Sequence, residues 1–129
     1  MHQAANAYAR VAKTGLSGRE IEASVLLNAA ARLQAVYERW EENQHLLGNA
    51  LTYNRRVWTI LSTGATAADS PLPDGIRQGI LNLALFVFKR TFEVLGQPAP
   101  EKLKVLISIN REIAAGLRTS PAIESGKAA

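Results

Sequence analysis

Residues 47–61 read LGNALTYNRRVWTIL, and their apolar side chains recur every three or four positions. This spacing predicts one apolar stripe along an α-helix, because a helix repeats every 3.6 residues. We expect the helix to end near Gly64, with that glycine as a left-handed cap. Asn54 lies in the middle of the stripe, whose apolar members are Leu47, Ala50, Leu51, Val57, Trp58 and Leu61.

A second apolar stripe of helical spacing precedes this stretch and runs from Ile21 to Trp40. Ser17 and Glu20 in front of it have the spacing of a capping box, which predicts a helix start. No Gly or Pro separates the two stripes, so the sequence leaves two arrangements open. We expect a turn in the polar residues 41–44, and one continuous helix is the alternative.

The segment from Pro73 to Leu95 is apolar on nearly every side, and its residues 80–88 read ILNLALFVF. A helix that is apolar all round is typically buried, so this one is either the central helix or presents one side to a partner. Its apolar run of nine residues is too short to span a membrane, which takes about 20. A last helix is expected to begin at Pro100.

These patterns predict an all-α fold, because no alternating apolar and polar pattern of strand length occurs. We expect a single-domain bundle of about four helices over residues 1–120, with a short extra helix in residues 4–13. Residues 121–129 are predicted to form a flexible tail.

Composition excludes several classes of function. The 129 residues contain no Cys, which rules out disulfides and Cys-based metal sites. Lys and Arg number 15 against 11 Asp and Glu, giving a net charge of +4. These charges are spread evenly along the chain, whereas a nucleic-acid binder concentrates them, so nucleic acid is not expected as a direct partner. We expect a cytoplasmic protein without a membrane span.

Residues with catalytic or metal-binding spacing were not found in the sequence. The two histidines, His2 and His45, lie far apart and match no metal-binding motif. Glycine-rich phosphate loops and nucleophile motifs are also missing. The sequence therefore predicts no enzymatic activity, no cofactor and no metal.

Two Asn–Arg pairs interrupt the apolar stripes. Asn54 and Asn110 lie on apolar helix faces, where an unpaired amide costs about 1–3 kcal/mol. We expect them to be structural polar residues that face each other in the bundle. Trp58 falls on the apolar stripe, so it either packs in the core or contacts a partner. The candidates for partner contacts are Arg55, Arg56, Trp58 and Arg111.

The chain resembles the FlaF family of flagellar biosynthesis regulators over about residues 8 to 118. The resemblance rests on Tyr8, residues 19–23 (REIEA), residues 53–61 (YNRRVWTIL), Leu72-Pro73 and residues 109–113 (INREI). It implies a small, cytoplasmic, non-enzymatic helical protein that acts late in filament assembly, at flagellin synthesis and export.

The resemblance leaves two main mechanisms open. In the first, the protein binds flagellin as a chaperone-like adaptor. In the alternative it is a post-transcriptional regulator of flagellin mRNA, acting with or against an FlbT-type protein. The alternative requires a single basic surface from Arg55, Arg56, Lys89, Arg90 and Arg111. A homodimer that pairs surplus apolar surface is the third hypothesis.

Overall fold

The structure, a computed structural model, describes residues 18–70 and 72–118. Its helices are α1 (Gly18–Glu38), α2 (Trp40–Asn43), α3 (Leu47–Thr66), α4 (Asp74–Gly96) and α5 (Lys104–Arg118). Two 3₁₀ segments, Gln44–Leu46 and Pro100–Leu103, precede α3 and α5. These ranges contain no strand, so the predicted all-α bundle of about four long helices is confirmed. The expected helix in residues 4–13, Ser17 of the capping box and the tail 121–129 lie outside the described residues.

Helix α1 packs against both α5 and α3, and buried side chains of α3 also reach α5. Helix α4 packs against the far side of α3 and is therefore an edge helix. Of the two alternatives for this segment, the central, buried helix is therefore wrong. The other alternative, a helix with one side free for a partner, agrees with the edge position of α4. The largest fully buried side chains include Trp58, Leu26, Leu33, Leu51, Leu103 and Leu106.

The helix break after α1 occurs at Arg39, two residues before the expected turn. Arg39 leaves the helical region, with φ of −128° and ψ of 58°. The side-chain amide of Asn43 donates to the Ala35 carbonyl at 3.0 Å, which satisfies one of the acceptors that the end of α1 leaves free. The chain therefore turns without Gly or Pro, and the continuous helix is excluded.

The end of α3 differs from the expected glycine cap. The helix continues through Gly64 to Thr66, and extended backbone begins at Ala67. Arg77 of α4 donates from Nε to the Ala65 carbonyl at 2.9 Å, and the Ala67 amide binds the Gly64 carbonyl. Because these donors satisfy the final carbonyls, no left-handed residue is needed, and the prediction of a Gly64 cap was wrong.

The boundaries of α4 agree closely with the sequence pattern. Pro73 is the residue before the helix rather than its first residue, and Gly96 is the last. Arg77 near the start of α4 binds Ala65 near the end of α3, and residues 51–59 of α3 lie beside residues 88–95 of α4, so the two helices run antiparallel.

A candidate partner-binding groove between α3 and α4

A chain of buried polar side chains links α3 to α5. Trp58 donates from its indole Nε1 to Oδ1 of Asn110 at 2.8 Å. Asn110 in turn donates from Nδ2 to Oδ1 of Asn54 at 2.6 Å. All three side chains are fully buried. The two asparagines therefore contact each other across the core, the geometry that the sequence patterns indicated.

The indole sets the direction of this chain, because an indole nitrogen only donates. Asn110 must turn its oxygen to Trp58, which leaves its amide nitrogen for Asn54. Asn54 must then accept, and its own Nδ2 has no hydrogen-bond partner among the described residues. The Asn54 amide is therefore the half-satisfied end of the network.

This network fixes which face of α3 is outside. With Asn54 and Trp58 in the core, the next positions, Arg55 and Arg56, are exposed. Trp58 is fully buried, so no atom of its side chain is at the surface for a partner to touch. Its candidacy as a direct contact is corrected accordingly, and its role in the structure is to pack the core and orient Asn110.

A groove with a volume of about 480 Å³ lies between α3 and α4. Helix α3 contributes Leu51, Thr52, Arg55 and Thr59 to its lining, and α4 contributes Phe88, Thr91, Phe92 and Leu95. The wall from α4 is dominated by large apolar side chains. The wall from α3 carries two short threonine side chains beside the Arg55 guanidinium. Of the candidate residues, only Arg55 lines this groove.

The apolar wall extends beyond the groove as a stripe along α4. Its members follow each other at intervals of four, three, four and three residues: Leu81, Leu85, Phe88, Phe92 and Leu95. Leu85 is 69% exposed, Phe92 74% and Leu95 54%. The sequence offered this helix as one that presents a side to a partner but did not single out these residues, although their four–three spacing is the signal for a seam between helices.

One basic side chain, that of Arg55, lines the groove. Helix α3 carries no acidic residue at all, and it exposes Arg55 and Arg56. Lys89 is exposed on α4, one residue after Phe88. Within residues 18–70 and 72–118, none of these three side chains forms an ion pair. Their charges are therefore available to a partner.

The remaining basic candidates lie elsewhere or are engaged. Arg111 lines a separate depression between α1 and α5, where its Nη2 donates to Gln34 Oε1 at 3.4 Å. Arg90 forms an ion pair with Glu93 at 2.9 Å and donates to the Lys102 carbonyl. The structure thus does not bring Arg111 to the groove that Arg55 lines.

Metal sites and membrane-spanning helices are both absent from residues 18–70 and 72–118. No group of three or more His, Asp or Glu residues there has an arrangement that could hold a metal ion. None of the helices in the described ranges is long and apolar enough to cross a membrane.

Comparison with known protein families decides the assignment. The sequence model described as flagellar protein FlaF matches residues 4–117. The chain belongs to the FlaF family. FlaF proteins are flagellar proteins of a regulatory or structural type. The FlaF match spans the whole of the described bundle, including both walls of the groove. No curated protein and no solved structure matches the chain.

Proposed function

We propose that this FlaF-family protein promotes flagellin synthesis and export by binding flagellin as a chaperone-like adaptor during filament assembly. The observation that supports the proposal is the exposed apolar groove between α3 and α4 of a flagellar protein. Leu85 and Phe92 are both more than two-thirds exposed. Contiguous exposed apolar surface in a small protein is typical of an interaction site.

The physical basis is helix-in-groove recognition. An amphipathic helix places its apolar face against a hydrophobic groove and is held mainly by burial of that face. A flagellin segment bound in this way would be shielded from other flagellin subunits. An adaptor of this kind keeps the subunit from polymerising before export.

The alternative function, regulation of flagellin mRNA with or against an FlbT-type protein, requires a continuous basic surface. Such a surface would have to include Arg111, which lies between α1 and α5, and Arg55, which lies between α3 and α4. Arg90 would also have to give up its ion pair with Glu93. Flagellin binding is therefore the better supported function, and an FlbT-type protein is a second partner to test.

Co-purification tests the proposal against this alternative. The full chain is expressed with the flagellin and the FlbT-type protein of the same genome, and complexes are isolated at low and high salt. We expect a one-to-one complex with flagellin that survives high salt. Absence of flagellin together with salt-sensitive capture of mRNA or the FlbT-type protein would contradict the adaptor function.

A further inference from the structure

We propose that the groove between α3 and α4 is the docking site for one amphipathic helix that has acidic residues beside its apolar face. The inference rests on the proposed function, because it assigns the surface through which a flagellin segment would be held. It adds the location of the site and the charge pattern of the segment that the site selects.

The spacing of the α4 stripe, whose Leu81 and Phe88 are half-buried and whose other members are exposed, indicates a helical occupant. Leu81, Leu85, Phe88, Phe92 and Leu95 repeat at the four–three interval by which one helix packs along another. With a rise of 1.5 Å per residue, the stripe is about 21 Å long, which matches about four turns of a bound helix. A peptide that binds by adding a β-strand would instead need an unpaired strand edge, and the described part of the chain contains no strand.

The opposite wall allows a close approach. Thr52 and Thr59 present short side chains to the groove, and the other lining residues Leu51 and Thr91 are buried. A helix can therefore pack against the α4 stripe and α3 together. Arg55 has a much longer side chain than the two threonines in the α3 wall.

Charge determines which amphipathic helix fits. Arg55 lines the groove, Arg56 is the next exposed residue of α3, and Lys89 is exposed on α4. These cations have no ion-pair partner in the described residues, and α3 offers no carboxylate. Acidic side chains flanking the apolar face of the occupant would complete these pairs and fix its orientation.

The same charges disfavour a second copy of this chain as the occupant. In a two-fold symmetric dimer, each residue near the axis faces its own counterpart. Phe88 is the midpoint of the stripe, so in a pairing of two stripes centred there the Lys89 side chains of both copies would flank the same interface. Like charges at this position oppose self-pairing, whereas a separate acidic helix is attracted.

Substitutions on the exposed stripe test the site, and the chain provides a matched control. Phe92 lines the groove and Leu85 lies on the α4 stripe that continues it, whereas Ile60, as exposed as Leu85 at 69%, is on α3 and outside the groove lining. We expect Leu85→Gln and Phe92→Gln each to weaken binding of monomeric flagellin at least about tenfold, since buried anchors dominate such interfaces. Ile60→Gln should change the affinity less than about twofold. Circular dichroism of each variant establishes that the fold is intact.

Charge reversal provides a second measurement. Arg55→Glu should weaken flagellin binding, with a larger effect at low than at high salt. Lys104→Glu, at the exposed start of α5 and outside the groove lining, is the control and should leave the affinity unchanged. Equal binding by the wild type, Leu85→Gln, Phe92→Gln and Arg55→Glu would overturn the groove while leaving the adaptor function intact.

If flagellin does not bind the wild type, the proposed function is wrong. A peptide experiment then tests separately whether the groove binds an acidic amphipathic helix. The probes are two 18-residue designed amphipathic helices with the same leucine face, flanked by Glu in one and by Lys in the other. Amide resonances of α3 and α4 should shift with the Glu-flanked peptide and not with the Lys-flanked one. No shift with either peptide, equal shifts with both, or a wild-type dimer that Leu85→Gln dissociates would overturn the docking proposal.

Discussion

Asn110→Leu is expected to destabilise the protein far more than Asn54→Leu, although the two asparagines are equally buried and bonded to each other. Removing the Asn110 amide leaves both Trp58 Nε1 and Asn54 Oδ1 without partners. Each orphaned buried group costs about 1–3 kcal/mol, and the added leucine carbons return part of that loss. We expect a net loss of about 3 kcal/mol.

Asn54→Leu leaves only the Asn110 Nδ2 donor unpaired. It also removes the Asn54 Nδ2, which has no partner among the described residues. One orphaned donor is therefore exchanged for another, and the expected loss is about 1 kcal/mol or less. The double variant leaves only Trp58 Nε1 unpaired, so it should be more stable than Asn110→Leu alone.

Urea unfolding followed by far-ultraviolet circular dichroism measures these differences. With a denaturant slope of about 1.5 kcal/mol per M, the midpoints of the two single variants should differ by about 1 M or more. An Asn54→Leu variant that loses as much stability as Asn110→Leu would refute the reasoning. Strictly additive losses in the double variant would do so as well, because they would show that the amides act independently.

Three further variants test the helix boundary, the attachment of α4 and a buried carboxyl. Gly64→Ala should raise stability by about 0.5–1 kcal/mol in thermal unfolding, because a methyl group there meets no atom within 4 Å; a loss would restore the left-handed cap. Arg90→Ala should cost about 1 kcal/mol by removing the bond from α4 to the Lys102 carbonyl, whereas Lys89→Ala should change stability by less than about 0.5 kcal/mol; equal effects would contradict the contact. Burial raises the pKa of the Glu22 carboxyl, and the Arg19 charge offsets this only in part. The folded state thus holds the Glu22 proton more tightly than the unfolded state, and its penalty grows as pH rises through the raised pKa. Glu22→Gln should therefore increase stability at pH 7 and lose this advantage below the ordinary glutamate pKa; an advantage that does not change with pH would contradict the cause.

The helices and their inward faces could be predicted from the sequence because their signals are local. The three- and four-residue spacing of α3 identified its core face, including Asn54 within it. The paired Asn110 could be anticipated because a polar residue on an apolar face must find a partner. The hydrogen bond between the two amides is the physical outcome of that requirement.

The position of α4 could not be predicted in the same way. Helix α4 carries apolar side chains on nearly every side, and the sequence does not tell which of them a neighbouring helix covers. The arrangement of the helices decides which apolar side chains are covered. It buries Ile80, Ala84 and Val87 and leaves Leu85 and Phe92 exposed. The groove is a consequence of the position of α4 at the edge of the bundle, and this position could not be predicted from the sequence.

The roles of the basic residues also depended on tertiary structure. Arg55 and Arg111 each follow a buried asparagine, and sequence treats them alike. In the bundle they lie on different seams, one between α3 and α4 and the other between α1 and α5. Partner binding by these arginines stays a prediction, and charge reversal at each position would test it separately.

A titration of monomeric flagellin into the full-length protein at two salt concentrations tests the adaptor function most directly. We predict one-to-one binding whose affinity falls less than about tenfold between about 50 mM and 200 mM salt, because burial of apolar surface contributes most of the binding free energy. Nucleic-acid binding through many phosphate contacts loses about 10³–10⁵ in affinity over the same range. No flagellin binding at either concentration, with mRNA bound in that steeply salt-dependent way, would contradict the adaptor function.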